Sequence, residues 1–272
     1  MRSEGFLSRN IAGFSQALES VIAADDLSRE PGLLQGLDPR VKVASFLLLV
    51  VTVGLLRSLT LLTVLFVMVL VLVVFSKMSL SFFLKRVLLF IPLFTAVIAI
   101  PALFTTPGNP LWHIGGHVSI TQQGLLSAAF LFVRVTDSLS LGILLVLTTR
   151  WTDLLAALRW FRLPALIVSI VGMTYRYIFL FLHTANNIFM ARRSRTIARF
   201  SGAANRHWLA QVLATTLAKS QYLGEEVYLA MLSRGYSGEV LTLDNLRARR
   251  RDFLWLAATL VIALTLLWVN YL

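Results

Sequence analysis

Two apolar runs, Val43 to Leu56 and Leu59 to Phe75, are separated only by Arg57-Ser58. A segment this apolar in hydrocarbon must satisfy its own N–H and C=O groups, so each run reads as a helix. Joined, the two would make one helix of roughly 50 Å, too long for a hydrocarbon core of about 30 Å. Two helices meeting at a tight turn are therefore expected, each borrowing flanking residues to approach the roughly 20 that a span needs. Composition agrees, with 57% hydrophobic and 14% charged residues, where a soluble domain carries about a quarter charged. A net charge of +12 would suggest nucleic acid in a soluble chain. Here the surplus Lys and Arg reads as the cytoplasmic fringe of membrane helices, and no nucleic-acid-binding motif accompanies it. Cysteine is absent, which excludes disulfides, thiolate metal sites and cysteine nucleophiles.

Within the first forty residues Ile11, Phe14, Leu18, Val21 and Ile22 recur at helical spacing, which predicts a short amphipathic helix on the membrane surface. No apolar run there is long enough for a cleavable signal peptide. In Leu37-Asp38-Pro39-Arg40 the Asp can cap a helix and the Pro suits its first turn. Arg40 and Lys42 are expected at the head-group level. A third span, Val87 to Phe104, carries Pro92 and Pro101, which bend a membrane helix.

Residues 105–120 contain no Lys, Arg, Asp or Glu, the mark of an exterior loop. His113 and His117 stand four apart, but Gly115-Gly116 between them favours a turn over a helical metal pair, so no metal is assigned. Ile120 to Leu147 is the fourth span. Its Arg134 and Asp137 are three apart and on one face, where they would neutralise each other as a structural pair in the bundle. A proton relay is the alternative.

Between Arg150 and Arg251 there are 15 Lys or Arg against five acids, a balance of +10. This stretch is expected on the cytoplasmic side. With a final span from Phe253 to Leu272, the chain reads as an all-α membrane protein of about five transmembrane helices plus long cytoplasmic helices, N-terminus in the cytoplasm. Ala165 to Leu182 is apolar enough for a sixth span. Crossing there would place Arg176 in mid-membrane and put arginine clusters on both sides, so a helix leaving on the side it entered is preferred, running to about Ile197 and stopping at Gly202. A second helix is expected from about His207 to Ser233, with Leu209, Leu213, Leu217, Leu223, Val227 and Met231 as its apolar stripe. Gly235 suits the position just past its end. The triplets Ser194-Arg195-Thr196 and Ser233-Arg234-Gly235 each put an arginine at a helix end, with donors free for carboxylates or carbonyls on a partner. Contact with lipid phosphates is the alternative.

A set of motifs occurs in order: Leu37-Asp38-Pro39-Arg40-x-Lys42, Ile120-Thr121-x-x-Gly124-Leu125, Arg134, Leu147-Thr148-Thr149, Leu158, Leu163-Pro164 and Tyr175-Arg176-Tyr177. Ala191-Arg192-Arg193-Ser194-Arg195 and Ala230-Met231-Leu232-Ser233-Arg234-Gly235-Tyr236-Ser237-Gly238 follow. From residue 37 onward the chain resembles the transmembrane T component of energy-coupling factor (ECF) transporters, and its last motif looks most like the CbiQ type of cobalt and nickel importers. The resemblance implies a scaffold between a substrate-binding membrane S subunit and two cytosolic ABC-type ATPases. It also implies two coupling helices, each ending in an Ala-Arg-Gly-like triplet that docks on one ATPase. Ser194, Arg195, Thr196 and Ser233, Arg234, Gly235 take those places. Ser replaces Ala in both and Thr replaces Gly in the first, where Arg192 and Arg193 compete for the register. Pro164, Arg134, Asp137 and Arg176 would be structural positions of the bundle.

The division expected is a cytoplasmic N-terminal segment at 1–40, transmembrane helices at 41–149, a coupling-helix region at 150–251 and a last transmembrane helix at 252–272. The setting implied is a bacterial or archaeal cell membrane. No cofactor is expected in this chain, ATP being held by the partner ATPases. An autonomous carrier using Arg134 and Asp137 is the competing reading, set back by the missing inverted repeat. An intramembrane enzyme ranks last, since no Walker A loop, His-Glu-x-x-His or Gly-x-Ser-x-Gly is present.

Overall fold

The computed structural model describes residues 32–87, 95, 101, 110–113, 119–195, 202–238 and 248–272. The N-terminal amphipathic stretch, most of the third apolar run with Pro92, His117 and Thr196 lie outside the described residues. Those described are mostly helical: the chain is an all-α membrane protein whose described β structure is one short hairpin.

Helix α1, Pro39–Leu55, begins where its sequence says it should. The Asp38 carboxylate accepts from the Arg40 N–H at 2.9 Å, and Pro39 fills the first helical position, where its missing N–H costs nothing. The helix ends at Leu56, and α2, Leu59–Phe75, starts three residues later. The tight turn expected at Arg57-Ser58 is therefore present. Leu62, Leu65, Val69 and Val73 form the buried stripe of α2 while Val64, Val67, Val71 and Val74 are exposed, as on a helix with one face toward lipid. Lys77 takes a left-handed conformation (φ 55°) just past its end. Its N–H bonds to Val74 O, and the Met78 N–H reaches Val73 O.

A further helical segment begins at residue 80. Strands β1, Pro110–His113, and β2, Ser119–Thr121, pair antiparallel with a bulge between Pro110 and Trp112. Placing His113 on a strand removes the helical spacing that a His113–His117 pair would need. Helix α3, Gln122–Thr148, is capped by the Thr121 hydroxyl, which accepts from Gly124 N–H at 3.0 Å. Then come α4, Trp151–Trp160; α5, Ala165–Arg195; α6, Gly202–Ser233; and α7, Arg250–Tyr271. Gly202 opens α6 rather than closing α5, so α6 starts five residues before the expected His207.

Two compact units divide the chain. One comprises residues 25–157 and 245–272, the other 1–24 and 158–244. In the first, α1 packs against α3 and α7, and α2 against α3. Polar ties fix their directions. The Asp38 N–H donates to Asp252 Oδ1 at 3.0 Å, Trp255 Nε1–H to Ser45 Oγ at 3.1 Å, and the Arg57 N–H to Asn270 Oδ1 at 2.7 Å. Positions rise together along both chains, so α1 and α7 are parallel. Lys42 Nζ donates to Thr148 O at 2.9 Å and Arg134 Nη2 to Leu56 O at 2.6 Å. Positions there run oppositely, so α3 is antiparallel to α1.

This geometry fixes a parity. The end of α3 and the start of α7 lie at the same end of the bundle, so residues 149–249 leave and return there. By length and composition α3, α7 and the Ala165–Arg192 part of α5 are long and apolar enough to cross a membrane. Among the described residues of 149–249 no second helix meets that standard, so α5 crossing alone would bring α7 in upside down. In the other unit α5 packs on α6. Most of their surface is open, and among described residues only Val212 joins the buried apolar set.

Candidate functional site

Helices α5 and α6 end on the same five-residue pattern, Ala-x-x-Ser-Arg, at 191–195 and 230–234. The local geometry repeats as well. The Ser194 hydroxyl donates to Ala191 O and the Ser233 hydroxyl to Ala230 O, both at 2.9 Å. Such back-bonding satisfies the hydroxyl within the helix's own last turn. The next residue, Arg195 or Arg234, is left at the helix end with its side chain exposed. Each is a planar cation with five donors, placed where helix carbonyls lack partners.

The end of α6 is described in full. Gly235 has φ +82°; its N–H bonds to Leu232 O at 3.0 Å and the Tyr236 N–H bonds to Met231 O at 3.0 Å. This double bond closes two orphan carbonyls and needs a left-handed residue at Gly235. Thr196, the corresponding residue after Arg195, lies outside the described residues. One turn before the end of α6, the Glu226 carboxylate takes a hydrogen bond from Tyr222 and raises that phenol's pKa above its usual value.

The competing arginines separate. The Arg192 guanidinium lies 4.0 Å from the Trp208 ring centroid, with Phe189 edge-on to the same ring at 5.0 Å. Arg192 is therefore engaged in joining α5 to α6, whereas Arg195 points away from any such partner. Trp208 was not singled out by the sequence, although its place near the start of α6 puts an aromatic opposite the end of α5. Arg176 is exposed on α5, its guanidinium 6.0 Å from the Tyr177 ring. The Pro164 carbonyl accepts from the Ile167 and Val168 N–H groups and starts α5.

Arg134 and Asp137 do not form the pair their spacing suggests. Side chains on a helix lean toward its N-terminus, and this one carries the Arg134 guanidinium across to Leu56 O and over the Phe130 ring at 4.4 Å. Leu56 O is an end carbonyl of α1, at the negative pole of that helix. Asp137 is fully buried with neither oxygen hydrogen-bonded, and Arg134 Nε is likewise without a hydrogen-bond partner.

Lys42, expected at the head groups, is instead buried and donates to Thr148 O, an end carbonyl of α3. The clue was in its spacing: Lys42, Phe46, Leu49 and Val53 fall on one helical face, all of it buried. Asp252 completes this end of the bundle. One oxygen accepts from Asp38 N–H at 3.0 Å and the other from Arg249 N–H at 2.6 Å. Among the described residues no group of three His, Cys, Asp or Glu side chains could hold a metal.

A family model described as CbiQ, cobalt transport protein, matches residues 32–243. An uncharacterized protein of Methanocaldococcus jannaschii is 31% identical over 249 residues, covering 90% of this chain and 85% of its own. The energy-coupling factor transporter transmembrane protein EcfT of Lacticaseibacillus paracasei is 30% identical over 243 residues, 84% of this chain and 90% of its own. The cobalt transport protein CbiQ of Rhodobacter capsulatus is 31% identical over 175 residues, 62% of this chain and 70% of its own.

Proposed function

This chain belongs to the CbiQ family of transmembrane T components of energy-coupling factor transporters, and we propose that it is the coupling subunit of such an importer. In this reading it passes movement from two cytosolic ABC-type ATPases to a substrate-binding membrane S subunit. It carries no nucleotide site of its own and performs no bond chemistry. Cobalt or nickel ions are the substrates, after the printed names of the family and of its Rhodobacter member.

The observation that carries the reading is the repeated Ala-x-x-Ser-Arg ending, with the same serine back-bond and an exposed arginine each time. Two like helix ends suit two like partners. Ser194, Arg195 and Thr196 face one ATPase and Ser233, Arg234 and Gly235 the other, each guanidinium entering an acidic or carbonyl-lined groove. Bidentate geometry makes arginine suited to such grooves and lysine a poor substitute. The parity of the bundle supports a 149–249 excursion on the ATPase side, with the N-terminus there too. The exposed apolar surface of α5 is then available to a membrane partner. An autonomous carrier loses its pathway charges, since Arg134 is committed to a helix-end carbonyl.

The test is Arg195→Glu with Arg234→Glu in the complete transporter. Uptake of radiolabelled cobalt or nickel should stop, and the ATPases should no longer co-purify, their affinity falling by about 30-fold or more. The S subunit should stay with the membrane domain. Arg206→Glu with Lys219→Glu, both exposed on α6, is the charge-matched control and should transport. Normal uptake and intact co-purification in the first variant would end the coupling reading.

A further inference from the structure

The helices of the larger unit differ in length, and the difference leaves a notch. Helices α1 and α2 have 17 residues each and α3 has 27, about 25 Å against about 40 Å. Arg134 meets α1 at its terminal carbonyl, so residues 122–133 continue beyond the 56–58 turn. A groove of about 800 Å³ lies there, between that turn, α3 and the end of α7. Leu55, Leu126 and Phe130 supply apolar wall, Tyr271 closes one side, and Arg57 and Arg134 supply two guanidiniums.

The charge in this groove is unbalanced. No Asp or Glu lines it, and Asp137, the acid nearest to Arg134 in sequence, does not hydrogen-bond it. Arg134 is held by Leu56 O and the Phe130 ring, yet its Nε is buried with no hydrogen-bond partner. The Arg57 N–H is used by Asn270, while its side chain is exposed. Two cations beside apolar wall at membrane depth are costly without an anion.

We propose that this groove binds the phosphate of an anionic phospholipid between Arg57 and Arg134, with the acyl chains along Leu55 and Leu126. Both leucines are about half exposed (48% and 52–56% for Leu55 and the Leu125–Leu126 pair). They continue the groove as an apolar track that a free phosphate would leave uncovered. An amphiphile satisfies the guanidiniums and the track together. Helices of about 25 Å end near the boundary of a core of about 30 Å, which is the depth of lipid phosphates, and Tyr271 is an aromatic of the kind found at that level. The lipid site stands on the membrane fold and is independent of the coupling reading.

The test uses the full-length protein reconstituted with an equimolar mixture of phosphatidylglycerol and phosphatidylcholine, followed by native mass spectrometry of the lipid retained. Phosphatidylglycerol should be retained about tenfold over phosphatidylcholine. Arg57→Gln should bring the two close to parity. So should Gly54→Leu, because a side chain at Gly54 enters open space in the groove. Lys85→Gln, an exposed cation outside the groove, should leave the selectivity unchanged, as should excess inorganic phosphate. Equal retention of both lipids by the wild type, or wild-type selectivity in either groove variant, would overturn the proposal. Displacement of the lipid by inorganic phosphate would assign the guanidiniums to a free anion and overturn it as well.

Discussion

The bundle of α1, α3 and α7 and the pair α5 and α6 are built from similar residues to different ends. In the bundle, polar groups point inward and tie helix to helix: Lys42 to the end of α3, Asp252 to the start of α1, Arg134 to the end of α1. In the pair, the hydroxyls of Thr174, Thr184, Ser194, Thr215 and Ser233 bond back within their own helix, and the arginine ends are exposed. Inward polar bonds at helix ends fix direction and register, because an orphan carbonyl meets only the cation that reaches it. Hydroxyls satisfied locally leave a helix surface uncommitted and open to a partner. One region is arranged to hold its shape and the other to be held.

That contrast can be broken in graded steps. The largest effect should come from Asp252→Ala, which leaves the Asp38 and Arg249 N–H groups without their carboxylate. The loss is about 3 kcal/mol, seen as a lower thermal midpoint of the purified protein. An unchanged midpoint would mean that the tie does not hold the bundle. Gly235→Ala, by contrast, should cost about 1–2 kcal/mol by placing a side chain in a left-handed residue. It should appear as faster hydrogen exchange in the last turn of α6, with the bundle's protection unchanged. Were the bundle to exchange faster too, the two regions would not be separable in this way.

Smaller still, Lys77→Gly should stabilise by roughly 0.5–1 kcal/mol, since glycine takes φ near 55° without a Cβ penalty. A loss of stability would show that the Lys77 side chain matters more than its backbone. The smallest effect is a coupling near zero. A double-mutant cycle on Arg134→Met and Asp137→Leu should be additive within about 0.5 kcal/mol, because the two side chains have different surroundings. A larger coupling energy would restore the ion pair that the spacing suggested.

Local features were legible where the chemistry is local. The Asp38-Pro39 start of α1, the turn at Arg57-Ser58 and Gly235 after α6 each follow from what a few neighbouring residues can do. The two arginine endings were readable as a repeat, though not the shared serine back-bond. Spacing failed where a long side chain had a choice of partners. Arg134 and Asp137 share a helical face, yet the carbonyl of Leu56 lies 78 positions away in sequence and took the guanidinium. Lys42 was read as a head-group residue because lysine near a span end usually reaches for water. It turned inward because the end of α3, with carbonyls needing a donor, packs against it. Arg192 and Arg195 were alike in sequence until Trp208 engaged the first.

The amino-acid sequence by itself determined the class of the protein, the positions of most helix boundaries and the family to which it belongs. Each depends on composition, on hydrogen-bond capping over a few residues, or on motifs in order along the chain. Only the tertiary structure decided that α1 and α7 run the same way, and hence that α5 does not cross alone. Hydropathy measures whether a helix could live in lipid, and α5 passes that measure. Direction is instead set by bonds such as Asp38 to Asp252 and Arg57 to Asn270, between residues more than two hundred positions apart, which no local pattern encodes.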